Sequence, residues 1–236
     1  MSDADVRIEV VGDPSAACAA MLIDAVTAGG DVVLTGGSTP RPAYEELARA
    51  ISESGLDASS TTLWFADERC VPPDDDRSNY LMVRRALFDR VGEGRFAGIH
   101  RIQGELGYAT AADSYDGALR SWGPPEFAFV LLGIGSDGHT ASMFPDQSSL
   151  AVRDRFAVGV PEAGLEPFVP RVTLTLPALG RGWQIVVLAS GASKADPVAA
   201  AFGRDARPDP HVPASMLATL GRDVTVLIDE AAAGKL

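Results

Sequence analysis

Apolar, β-rich runs that end in polar turns and then pass into helical patterns recur along this chain, and that alternation is what most constrains its fold. The clearest instance is Phe127 to Leu132, which reads as a buried strand and empties into Gly133-Ile134-Gly135-Ser136-Asp137-Gly138-His139-Thr140-Ala141-Ser142. Asp31–Thr35 leads in the same way into Gly36-Gly37-Ser38-Thr39-Pro40, Thr61–Phe65 into Ala66-Asp67-Glu68-Arg69, and Trp183–Ala189 into Ser190-Gly191-Ala192-Ser193-Lys194. Further strands are expected at Val6–Val11, Ile99–Ile102, Phe156–Val160, within Phe168–Leu176 and at Val224–Asp229. Helices are expected over 14–28, 41–54, 78–90 and 109–122, after Lys194, and from His211 onward, with a fraying tail over 231–236. Strands alternating with helices imply an α/β fold, a mainly parallel sheet with helices on both faces. In such sheets ligands bind beyond the carboxyl ends of the strands, where these turns fall.

The 236 residues carry no linker or repeat and, at 46% hydrophobic, fill one domain spanning 1–236. Met1 to Asp5 is acidic and lacks the features of a signal peptide, and no apolar run approaches the roughly 20 residues of a membrane helix. A cytoplasmic protein is expected. Cys18 and Cys70 have no metal-like spacing and read as reduced thiols. A net charge of −12 argues against nucleic acid or an anionic membrane as partner, and it requires any anion site to be locally basic.

Such a basic site can be assembled from the strand ends. Gly36, Gly37 and the hydroxyls of Ser38 and Thr39 precede a helix whose free amides and dipole form an anion cradle; an ordinary turn with a Ser/Thr cap and Pro40 in the first helical turn is the alternative. The Gly-Lys-Ser/Thr of a nucleotide loop is absent, so a sugar phosphate suits the cradle better than a nucleoside triphosphate. Asp67-Glu68-Arg69 at a strand end is expected to face the same sheet edge, although charge triplets are often merely solvated. Ser78 suits an N-cap, and Asn79 can orient a substrate hydroxyl. Arg171 stands at the mouth of a strand, and Lys194 lies in a first helical turn, where a bound anion would offset its clash with the helix dipole. His139 lies two residues from Asp137, close enough for the carboxylate to fix its tautomer, and Gly133, Gly135 and Gly138 are expected to supply positive φ angles. His100, between apolar residues, reads as structural, and His211, among prolines, as solvated.

Taken together, the segments Thr35–Pro40, Trp64–Arg69 with Ser78-Asn79-Tyr80, Gly133–Pro145, Arg171-Val172-Thr173 and Gly191–Lys194 resemble the 6-phosphogluconolactonase family, in the family's own order. The resemblance implies a Rossmann-like three-layer sandwich and hydrolysis of a phosphorylated sugar lactone without cofactor or metal. It implies His139 as general base, Asp137 orienting it, and Asp67 in the site without a defined role. Gly36, Gly37, Ser38, Arg69, Arg171 and Lys194 would hold the phosphate and neighbouring polar groups, with Asn79 near the sugar ring. A contact by Arg77, in a variable Pro/Asp loop, is left open. A monomer or small homo-oligomer is expected. Two other readings stand beside it: an amino-sugar phosphate deaminase, whose acidic Glu is replaced here by Phe144, and a non-catalytic sugar-phosphate-binding domain.

Overall fold

The computed structural model describes residues 6–123 and 125–236. Apolar runs become the middle of a seven-stranded, wholly parallel sheet: β1 (Val6–Val10), β2 (Gly30–Leu34), β3 (Thr61–Phe65), β5 (Gly98–His100), β6 (Phe127–Gly133), β9 (Gly182–Ala189) and β10 (Asp223–Ile228), in the order β1-β10-β9-β6-β2-β3-β5. The central strands β2, β3, β6 and β9 are buried on both faces, as parallel strands under two helical layers must be. Chain order reverses direction about β2 and β6, and the loops that follow those two neighbours meet above them.

The helical layers comprise α1 (Pro14–Ala28), α2 (Arg41–Glu53), α3 (Asn79–Val83), α4 (Asp89–Val91), α5 (Tyr108–Trp122), α6 (Leu176–Leu179) and α7 (Ala195–Phe202), with a π-helical turn at Arg84–Phe88 joining α3 to α4. Asp13 caps α1 by accepting from Ala16 N at 3.0 Å, a bond worth about 0.5–2 kcal/mol. Ser78 caps α3 as expected, its hydroxyl accepting from Leu81 N. One apolar cluster, running from Cys18 to Ala232 and including Leu22, Tyr44, Phe65, Phe129 and Val187, packs the layers together. Both cysteines are free. Among the described residues no helix is long and apolar enough to cross a membrane.

Four sequence expectations change. Asp67–Arg69 (β4) falls beside the glycine loops as expected, but as a strand of its own rather than a turn: it pairs antiparallel with β8 (Arg171–Leu174), which pairs with β7 (Ala157–Val160) in a separate three-stranded sheet. The last helix, Pro213–Thr219, is 3-10, its turns closing through i→i+3 bonds such as Leu220 N to Leu217 O, and Ser215 Oγ accepts from Asp209 N at 2.8 Å. Pro40 is the N-cap of α2, with no side-chain cap, and Pro42 takes the first turn. The tail does not fray: Asp229 accepts from Ala232 N at 2.7 Å, and Ala232 is buried.

Candidate active site

The loops after β2, β3, β6 and β9 enclose an open cavity of about 340 Å³ whose wall includes Gly36, Gly37, Ser38, Asp67, Arg69, Asn79, His139, Arg171 and Lys194. Asp137 lies behind His139 and is not on the wall. The sheet therefore brings nearly every residue singled out in the sequence to one place. Arg77 is elsewhere: its side chain pairs with Asp75, and only its carbonyl bears on the site, accepting from Arg69 Nη1 at 2.6 Å.

The loop after β6 is tied into a compact turn. Gly135 N donates to His139 O at 2.8 Å, Gly138 N to Gly135 O at 3.1 Å, and Thr140 Oγ1 to Gly133 O at 2.9 Å. Of the three glycines only Gly138 has a positive φ, 83°; Gly135 is needed for space, since a Cβ there would fall 2.1 Å from His139 Nδ1. The left-handed positions fall instead on Ala141 (φ 50°) and Asp146 (φ 59°). A non-glycine residue there costs of order 1–3 kcal/mol and persists where its surroundings over-determine it. At Ala141 the anchors are next door: Ser142 N donates to Thr173 Oγ1 at 3.1 Å, and Ser142 Oγ to Asp67 Oδ2 at 2.5 Å.

His139 Nδ1 and Asp137 Oδ1 are 2.6 Å apart, and His139 N also donates to that oxygen at 3.1 Å. Burial alone would raise the Asp137 carboxyl; the ring hydrogen bond, the imidazole's charge and the backbone bond outweigh it and leave its pKa below the ordinary value. An ionised carboxylate only accepts, so Nδ1 carries a proton, and in the neutral imidazole the free lone pair is therefore on Nε2.

Positive charge gathers opposite. Lys194 Nζ donates to Ile134 O at 2.7 Å; burial lowers its pKa, with Asp137 opposing. Arg171, 3% exposed, donates through Nη2 to Pro167 O at 3.0 Å and stands 4.0 Å from Asp67; burial lowers its pKa too, with Asp67 opposing. Its Nε is buried without a partner, a donor left over by the fold.

Asp67 and Asn79 are more deeply built in than the sequence suggests. Asn79 Nδ2 donates to both Asp67 O and Asp67 Oδ1 at 3.0 Å, so the amide acts through Asp67. Its Oδ1 is buried against Gly36, where a Cβ would come within 1.9 Å of it. Glu68 accepts from Ser78 Oγ and from the amides of Arg69, Asn79 and Tyr80, which fixes the start of α3. Burial raises its pKa against those bonds. Ser142 and Thr173 also build the site, marked in the sequence only by their place in or beside the motifs, and Gly135 serves it through its missing side chain rather than through a positive φ. His100 is structural as expected, stacked on Trp64 at 4.0 Å, and exposed His211 pairs with Asp146.

A parallel sheet whose strand-end loops surround a cation-lined cavity with an Asp–His pair at its wall defines an α/β protein suited to a small anionic ligand. The sequence over 5–226 matches the family described as glucosamine-6-phosphate isomerases/6-phosphogluconolactonase, and the chain belongs to it. A 6-phosphogluconolactonase of Synechocystis sp. is 34% identical over 86% of this chain and 83% of its own, and one of Mycobacterium leprae is 34% identical over 87% and 84%. The solved structure of 6-phosphogluconolactonase from Trypanosoma cruzi superposes with a TM-score of 0.84 at 26% identity, covering 100% of this chain and 98% of that one.

Proposed function

We propose that this protein hydrolyses 6-phospho-D-glucono-1,5-lactone to 6-phosphogluconate, the second step of the oxidative pentose phosphate pathway. The observation that carries the reading is the 2.6 Å Asp137–His139 pair at the wall of a cavity that also holds Arg69, Arg171 and Lys194. His139 Nε2 takes a proton from water as the oxygen attacks the lactone carbonyl; the tetrahedral oxyanion then collapses, and the ring oxygen leaves with a proton returned from the imidazolium. A positioned base of this kind contributes about 10²–10⁴-fold. Asp137 stabilises the imidazolium between the two transfers. Arg69, Arg171, Lys194 and the loop of Gly36, Gly37 and Ser38 hold the phosphate, whose charge of roughly −1.5 to −2 supplies remote binding energy for alignment. Asp67 orders this wall by holding Asn79 and Ser142.

The same reading takes the chain as a single domain acting in the cytoplasm as a monomer or small homo-oligomer, with no cofactor. A deaminase is the poorer fit: position 144 holds a buried phenylalanine, which cannot transfer a proton. Mere binding leaves the Asp–His pair without a task. Direct assay decides among the three. Lactone hydrolysis above the spontaneous rate is expected; ammonia release from glucosamine 6-phosphate, or affinity for 6-phosphogluconate without turnover, would replace the reading.

A further inference from the structure

The ring of Phe144 meets three parts of the site at once. Its centroid is 4.7 Å from that of the His139 imidazole at an interplanar angle of 47°, and the Arg171 guanidinium carbon lies 5.7 Å from the same centroid. From the third side comes Gly164, so close that a methyl group there would sit 3.0 Å from Cδ1 and 3.1 Å from Cβ and Cγ of Phe144. Gly164 belongs to the loop over 161–170, whose Leu165 and Glu166 line the cavity. Arg171 Nη2 grips that loop through Leu165 O at 3.4 Å and Pro167 O at 3.0 Å. The loop is thus seated on Phe144 by packing and on Arg171 by hydrogen bonds, and the two seats touch.

We propose that Phe144 is a positioning residue that couples the seating of the 161–170 loop to the aim of the His139 imidazole. The kinetic consequence rests on the lactonase reading; the coupling itself is a matter of packing. Asp137 holds the ring at Nδ1 and the Gly135 backbone closes in on its Nδ1–Cε1 edge, so the remaining contact on the ring is the one that sets its tilt. The face of Phe144 supplies that contact. Phe144 is 1% exposed and close-packed interiors transmit displacement, so a shift of the loop toward the ring at Gly164 presses on it and a shift away withdraws its support. The wall that closes over the substrate and the base that attacks it are then set by one side chain.

The test is a double-variant cycle with a spectroscopic readout. Gly164 has no left-handed backbone, so alanine is admissible there, and its methyl presses on the ring. Gly164→Ala should lower kcat about tenfold with KM nearly unchanged, since misplacing a reacting group by about 1 Å can cost about 10²-fold. Phe144→Leu should lower kcat at least as much, and adding Gly164→Ala to it should change nothing more. Phe144→Met, which fills the space without a planar face, serves if the leucine variant does not fold. The His139 ring resonance, assigned by its loss in His139→Ala, should move in each single variant while those of His100 and His211 stay. Additive effects on kcat, or an unmoved His139 resonance in Gly164→Ala, overturn the coupling. Absence of lactone turnover in the parent overturns the lactonase reading instead, and the resonance still decides the coupling.

Discussion

Ser142 Oγ donates to Asp67 Oδ2 at 2.5 Å, joining the loop after β6 to the antiparallel β4 across 75 residues of sequence. Asp67 receives Asn79 on its other oxygen, so one carboxylate ties together the loop after β6, strand β4 and the start of α3. Ser142→Ala strands a buried acceptor whose nearest remaining cation, Arg171, is 4.0 Å away. The expected loss is about 1–3 kcal/mol of unfolding free energy, read by urea denaturation, with lower kcat/KM as the Ala141 turn relaxes. An unchanged unfolding midpoint would show that the bond adds nothing.

Gly36 is expected to tolerate no side chain while Asn79 is present. Gly36→Ala places a methyl 1.9 Å from a fixed amide oxygen, an overpacking that typically costs about 1–3 kcal/mol. Asn79→Ala vacates that space, so Gly36→Ala with Asn79→Ala should melt higher than Gly36→Ala alone. Equal melting temperatures would place the clash elsewhere.

Much of this architecture is legible in the chain because buried parallel strands must be apolar runs, and Val32-Val33-Leu34, Leu63-Trp64-Phe65 and Phe129 to Leu132 are such runs with polar loops at their ends. The Asp137–His139 pair is legible for a local reason, since two residues of one turn meet whatever the rest does. What the sequence hides is settled by distant partners. Asp67-Glu68-Arg69 shows no alternation that would mark a strand, and its pairing with Arg171–Leu174 depends on chain a hundred residues on. The same holds for Asn79, whose amide is claimed by Asp67, and for Ala141, whose left-handed backbone depends on the anchors of Ser142.

The alkaline limb of product binding should reveal Lys194. Burial lowers its pKa, so in the free protein its ammonium is present below that lowered value and is lost as pH rises through it, earlier than in an exposed lysine near 10.4. Affinity for 6-phosphogluconate, followed by calorimetry, should therefore weaken on the alkaline side sooner than phosphate binding by an exposed lysine would. Lys194→Arg, which keeps its charge, should carry binding to higher pH. An identical alkaline decline in both proteins would remove Lys194 from the phosphate site.

Activity is expected to survive EDTA. Among the described residues no group of three or more His, Cys, Asp or Glu is placed to hold a metal ion, although carboxylate oxygens such as those of Asp67 can still attract a hard cation. Lactonase activity lost on chelation and restored by Mg²⁺ or Zn²⁺ would contradict this.

His139→Ala carries the most specific expectation. With the base gone, kcat should fall by roughly 10²–10⁴, while affinity for 6-phosphogluconate stays close to the parent's, because Arg69, Arg171, Lys194 and the Gly36-Gly37-Ser38 loop stand on other strand ends. The lactone also opens unaided, so turnover must be corrected for the spontaneous rate. Asp137→Asn should do less harm: the amide still fills the place beside Nδ1 but no longer stabilises the imidazolium, so kcat falls and the acid limb of the rate profile moves to lower pH. Asp137 should also support folding, since a carboxyl whose folded pKa is depressed adds stability above its unfolded pKa and loses it as pH falls through the folded one. Acid unfolding of Asp137→Asn should accordingly show a smaller loss of stability through that range than the parent. If His139→Ala turns over near the parent rate, the base lies elsewhere, and Asp67, the next carboxylate on the cavity wall, becomes the first residue to replace.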